Sequence, residues 1–214
     1  MNHTLVLRHA DREELKTKEK APFAKLTFKG KLKALQQGVL LRITYGDIHR
    51  IHSSRTSRCI QTASIISIPF MAGKFNGNRP KLQVDLDYYG FFSTGYVRDG
   101  HFDAWMEDVF NSARWSNYTE MFAKWAEKGL LKCTLREFGK QFISNYLVDH
   151  NILAITHDSI IGPLMESLSY EYGFKLREHM IWPNPLAGFC IEHENGRIYT
   201  IKWYEYMKEP QILF

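Results

Sequence analysis

Cysteine is scarce in this chain. Cys59, Cys133 and Cys190 are the three in 214 residues. Odd in number and widely spaced, they fit neither a disulfide framework nor a zinc site, and a reducing compartment is the simpler inference. Long apolar runs are missing as well, so no membrane span is expected. The N-terminus passes straight into strand-like residues, without the basic segment and long apolar stretch of a secretory leader, and a cytoplasmic location is expected. There is no internal repeat, linker or low-complexity tract. Neither a disordered nor a fibrous protein is indicated.

What is present is the composition of an ordinary globular domain: 44% hydrophobic and 24% charged residues, in a chain long enough to bury a sizeable core. One domain over 1–214 is expected. The formal charge of +5 is a mild basic excess, concentrated at Lys16, Lys18, Lys20, Lys25, Lys29, Lys31 and Lys33. No nucleic-acid-binding motif accompanies it, so these lysines read as a solvated helix face and loop and not as a nucleic-acid site.

Apolar runs alternate with helical periodicity, the pattern of an α/β fold. Thr4 to Leu7 reads as the first strand. Thr27 caps a helix with Leu32, Leu35 and Val39 on one face, and Ile48 to Ser53 is the second strand. A helix begins at Ser54 and carries Arg58, Thr62 and Ile66. Leu82, Val84 and Leu86 alternate as a third strand. Thr134 with Glu137 forms a capping box for a helix bearing Leu135, Phe138 and Phe142, and Asn151 to Thr156 is a fourth strand. Ala187 to Ile191 and Ile198 to Trp203 flank Asn195-Gly196, a strong hairpin signal. Between the third strand and the Thr134 helix lies an aromatic segment running from Tyr88 to Trp125. Phe102, Trp105, Met106 and Val109 have helical spacing, as do Tyr118, Met121, Phe122 and Trp125. They suggest two helices forming a cap over the carboxyl edge of the sheet, an insertion at about 88–133, with the Gly90 to Gly100 loop nearest the site. The architecture expected is a three-layer sandwich, with a mostly parallel sheet and helices on both faces.

In an open α/β sheet, ligands bind beyond the carboxyl ends of the strands. Arg8 and His9 follow the first strand, Ser54 and Arg58 the second, Asp87 the third, and His157 and Asp158 the fourth. Arg8, Arg12 and Arg58 can present forked hydrogen bonds to a phosphoryl group while His157 donates another. His9 can attack phosphorus through one ring nitrogen, provided a backbone carbonyl holds the other as a donor. Such a site calls for no metal and no cofactor. His3, His49, His101, His150, His179 and His193 read as ordinary core or surface histidines, His52 stays unassigned, and Arg55 reads as solvated.

Three strings carry a resemblance: Leu5-Val6-Leu7-Arg8-His9-Ala10, Ser54-Arg55-Thr56-Ser57-Arg58-Cys59-Ile60-Gln61-Thr62-Ala63, and Ile155-Thr156-His157-Asp158. In this order they resemble the histidine phosphatase superfamily, also called phosphoglycerate mutase-like. The resemblance implies that His9 is the nucleophile and that Arg8, Arg58 and His157 form the phosphate pocket, with Arg12 matching the second arginine of the acid phosphatase branch. Ala10 stands where glycine is usual. Thr156-His157-Asp158 resembles the acid phosphatase branch and implies Asp158 as general acid; the Arg58-to-Ala63 string resembles the mutase-like branch, in which the acid follows the third strand, where Asp87 stands. The activity implied is hydrolysis of a small phosphomonoester through a phosphohistidine. A phosphomutase, a phosphohistidine protein phosphatase and a non-catalytic phosphate-binding module are the alternatives. No nucleic-acid or membrane partner is expected, and nothing in the sequence specifies the leaving group.

Overall fold

The computed structural model describes residues 1–14, 23–71, 80–84, 97–98, 100–111, 118–148, 150–177, 180 and 182–214. Strands β1 (Asn2–Arg8), β2 (Arg50–Ser53), β3 (Lys81–Val84) and β4 (Ile152–Thr156) run parallel in the order β3-β2-β4-β1. Beyond β1, the strands β5 (Gly188–Glu194), β6 (Arg197–Tyr204) and β7 (Gln211–Ile212) continue the sheet antiparallel. Helices α1 (Phe28–Tyr45) and α2 (Ser57–Met71) follow β1 and β2. Helices α3 (Phe102–Asn111), α4 (Tyr118–Glu127) and α5 (Leu135–Tyr146) precede β4, and α6 (Asp158–Tyr172) follows it.

Successive side chains of a strand point to opposite faces, and the core divides in two accordingly. Leu5, Leu7, Leu153 and Ile155 pack with Leu41, Ile66 and Phe70 of α1 and α2. Val6, Ala154 and Phe189 pack on the other face with Trp105, Trp125, Phe138, Phe142 and Leu164. The expected three-layer α/β sandwich is therefore the architecture, and its covered faces explain why Thr4–Leu7 and the whole of β4 are buried without alternation. The capping box forms as expected, Thr134 and Glu137 each bonding the other's backbone N–H. Asn195 and Gly196, at φ 49° and 75°, make the hairpin turn. β7, two residues long, carries too little pattern to be foreseen.

The face that α1 buries is not its apolar stripe. Thr27 does cap the helix, accepting from the Gly30 N–H, but Leu32, Leu35 and Val39 are exposed. The helix instead buries Gly30, Ala34, Gln37, Gly38, Leu41 and Tyr45. Close approach is the reason: a Cβ at Gly38 would lie 2.5 Å from the Ile66 carbonyl oxygen of α2, and one at Gly30 2.1 Å from that of Asp11. Small residues let α1 touch backbone, and bulkier apolar side chains are turned outward.

Two further expectations meet the structure only in part. Leu82 and Val84 of the edge strand β3 are both exposed. In the aromatic segment, Trp105, Met121, Phe122 and Trp125 are buried in the core, with the two tryptophans edge to face at 5.8 Å. The side chains of Phe102, Met106, Val109 and Tyr118 lie outside the described residues, as do Lys16, Lys18, Lys20, Leu86, His179 and the Tyr88 to Tyr96 part of the segment. Among the described residues no helix is long and apolar enough to cross a membrane.

Candidate active site

Three adjacent strands, β2, β4 and β1, end side by side, and backbone hydrogen bonds prolong the sheet just past their carboxyl ends. The His9 N–H donates to Thr156 O at 3.0 Å and the Ser54 N–H to Ile155 O at 3.2 Å. His9, Ser54 and His157 are thereby fixed around one crevice. Arg58 reaches it from the second residue of α2. Asp158 opens α6 directly after His157, the N-cap of that helix.

Arg58 organises the pair of histidines. Its Nε–H donates to His9 Nε2 at 3.1 Å, and its Nη2 lies 3.3 Å from His157 Nδ1. A guanidinium only donates, so each contacted ring nitrogen carries its lone pair. The remaining nitrogens are then N–H donors: His9 Nδ1 to the Ala10 carbonyl at 2.8 Å, and His157 Nε2 to Ser54 Oγ at 2.9 Å. Both rings are buried and neutral. Burial first, then the Arg58 and Arg8 guanidiniums, hold both pKa values well below 6.5. The rings meet edge to face, 5.5 Å between centroids.

Arg8 lies on the other flank. Its Nη2 pairs with Asp158 Oδ2 at 2.9 Å, and Nη1 donates to Pro183 O at 2.5 Å. Asp158 Oδ1 accepts from the Ser159 N–H at 2.9 Å. Arg12 is half-buried with its Nη1 on Glu13 O at 2.9 Å, and it shares the field of Arg58, Arg8 and Asp158; burial and the two like charges lower its pKa. Three cations thus surround two neutral imidazoles, with Asp158 as the carboxylate paired among them, which is the charge balance of an anion site. Arg55 is exposed. Asp87 lies outside the described residues.

Some contributors had no role in the sequence reading. Gln61 accepts from the Leu26 N–H at 3.0 Å, and Thr62 Oγ1 accepts from the Ala10 N–H at 3.1 Å while donating to Arg58 O at 2.7 Å. These two side chains tie α2 to the loop carrying His9. The buried Cys59 thiol lies 3.6 Å from His157 Nε2, and burial raises its pKa. Ser54 and His157 are 103 residues apart, and no local pattern reveals such a pair.

No protein-family model and no curated protein matches the chain. Solved structures do match it. The phosphoserine phosphatase of Entamoeba histolytica, in complex with 3-phosphoglyceric acid, aligns over 98% of this chain and 98% of its own with a TM-score of 0.50 and 14% identity. The chain shares its fold with that phosphatase. The ecdysone phosphate phosphatase of Bombix mori, in complex with tungstate, covers 93% of this chain and 92% of its own at TM-score 0.49 and 14% identity. The phosphoglycerate mutase of Plasmodium falciparum covers 99% and 98% at TM-score 0.48 and 13% identity. At such identities the likeness concerns the fold, and the chemistry rests on the side chains of this chain.

Proposed function

We propose that the protein is a metal-independent phosphomonoesterase acting on a small phosphate ester through a phosphohistidine on His9. The observation that carries this reading is the state of His9: its Nδ1–H is held by the Ala10 carbonyl, which leaves a lone pair on Nε2 beside the guanidiniums of Arg58 and Arg8. A neutral imidazole so oriented is a nucleophile, and the surrounding cations suit the two negative charges of a phosphomonoester.

In the first step the seated phosphate takes over the donors of Arg58, freeing Nε2. Nε2 attacks phosphorus, the bond from phosphorus to the ester oxygen breaks, and the leaving oxygen takes a proton from the Asp158 carboxyl group. In the second step water attacks phosphorus, its proton passes to the Asp158 carboxylate, and the N–P bond breaks to return neutral His9 and inorganic phosphate. Once Arg58 turns to the phosphate, His157 holds a phosphoryl oxygen by carrying its proton on Nδ1, its Nε2 then accepting from the Ser54 hydroxyl. The segment at about 88–133 is read as a cap bordering the crevice. Thr119, at the start of α4, is bonded through both its N–H and hydroxyl to the buried carboxylate of Glu166 on α6, the helix that begins with Asp158; this supports a fixed placement of α4.

Trapping decides the matter. Brief reaction with a labelled phosphomonoester followed by denaturation is expected to leave acid-labile, alkali-stable phosphate on the wild type and none on His9→Ala, with turnover lost in the variant and unaffected by chelators. Full turnover by His9→Ala, or a loss on chelation that a divalent metal restores, overturns the reading.

A further inference from the structure

The outward face of α1 has no explanation in the catalytic reading. At about 100° per residue, Phe28, Leu32, Leu35, Val39 and Ile43 fall within roughly 80° of arc, opposite the buried Gly30, Ala34, Gln37 and Leu41. Phe28 and Ile43, at the two ends of the stripe, are 78% and 77% exposed. Lys31 and Arg42 border the stripe on one side and Lys29 and Lys33 on the other, Arg42 donating to the Pro69 carbonyl and Lys33 paired with Asp11 at 2.7 Å; the helix contains no Asp or Glu. A second segment flanks the same helix. The Tyr206 hydroxyl donates to Gln36, Lys33 lies 5.4 Å from the Tyr206 ring centroid, and the next residue, Met207, is held at a positive φ of 59° with its side chain 64% exposed.

We infer that the outer face of α1, with Met207 beside it, docks on an anionic lipid surface. The stripe is an apolar ridge with cations along both borders. A negatively charged bilayer surface satisfies it at once: the apolar side chains enter the boundary between headgroups and acyl chains while Lys31 on one border and Lys29 on the other meet lipid charge. A second copy of the chain satisfies it poorly, because with no acid in α1 a self-paired face sets lysine rows against each other. The absence of an expected membrane partner in the sequence reading rested on the lack of a spanning segment, and a peripheral surface needs none. Thr27, the N-cap of α1, is bonded to the Asp11 carbonyl, two residues beyond His9, so docking by this face would set the crevice beside the lipid surface.

The test is sedimentation of the full chain with vesicles of phosphatidylcholine alone or mixed with phosphatidylserine, at low and high salt. Binding is expected to the mixed vesicles only, and to weaken with salt. Phe28→Ser with Ile43→Ser, and separately Lys29→Gln with Lys31→Gln, are each expected to weaken binding by about tenfold or more, with circular dichroism showing each variant folded. Light scattering on the same samples reports self-association. Failure of the wild type to bind mixed vesicles at low salt, or equal binding by either folded variant, overturns the inference. So does a wild-type dimer that becomes a monomer in the Phe28 and Ile43 variant while vesicle binding is absent, which would make a second copy the occupant.

Discussion

The guanidinium of Arg58 donates through Nε to the Nε2 atom of His9 across 3.1 Å, closing the lone pair that the proposed reaction uses. A ligand phosphate must therefore exchange with His9 for that donor, and Arg58 serves as both placeholder and clamp. Removing it leaves phosphoryl oxygens unpaired in a desolvated crevice. Arg58→Ala is expected to lose roughly 2 to 5 kcal/mol of transition-state stabilisation in kcat/KM, whereas the exposed Arg55→Ala stays close to wild type. Steady-state kinetics with one aryl phosphate checks the ranking, and the reverse order would contradict it.

Asp158 is paired with Arg8. A phosphate seated on Arg8 competes for the same guanidinium and sets its own charge against the carboxylate; a proton on Asp158 relieves that repulsion and is then available to the leaving oxygen. Loss of a general acid costs about 10² to 10⁴ in rate when the leaving group is poor, and far less when it is stable as an anion. Asp158→Asn should cripple alkyl phosphate hydrolysis and largely spare nitrophenyl phosphate. If Asp87→Asn produces that selective defect and Asp158→Asn does not, the acid follows β3 instead.

The sequence made legible the elements whose cause is local. Leu5–Leu7 of β1 and Ile152–Ile155 of β4 are continuous apolar runs, Thr134 and Glu137 sit at capping-box spacing, and Asn195-Gly196 demands a hairpin; each was readable residue by residue. The placement of Arg8, His9, Arg58, His157 and Asp158 at one crevice was readable too, since strand ends of a parallel sheet lie together. The orientation of α1 was not. Its apolar periodicity marks the face turned to solvent, and the face turned to the core is selected by backbone approach at Gly30 and Gly38, which depends on partners far along the chain. The Ser54–His157 bond and the paired use of Gln61 and Thr62 escaped for the same reason.

That reading of α1 sets up a test of sign. By helix propensity alone, Gly38→Ala should stabilise the fold by about 0.8 to 1 kcal/mol. Here the new methyl would meet the Ile66 carbonyl oxygen at 2.5 Å, and α1 and α2 would have to separate, at a typical overpacking cost of about 1 to 3 kcal/mol. Net destabilisation is expected, lowering Tm by a few degrees, at roughly 2 to 4 °C per kcal/mol in a chain of this size. A rise in Tm would show that the interface accommodates the methyl freely.

The pH dependence of stability gives a last prediction, centred on His52. This side chain is buried at the edge of the Tyr146 ring, 5.4 Å between centroids, and its Nδ1 is buried without a hydrogen-bond partner among the described residues. Burial, then Arg50 and His150, lower its pKa to about 4. The unfolded chain binds the proton near pH 6.5 and the folded chain does not, so stability falls as pH drops below about 6.5, and the share owed to His52 is fully lost near pH 4. At about 1.4 kcal/mol per pH unit that share is roughly 3 kcal/mol. His9 and His157, also held neutral, act in the same direction. His52→Phe keeps a ring beside Tyr146 and cannot take up a proton; it should match wild type within about 1 kcal/mol at pH 7.5 and become the more stable protein by pH 4.5. Urea unfolding across that range measures the difference, and parallel curves for the two proteins would remove His52 from the acid sensitivity of the fold.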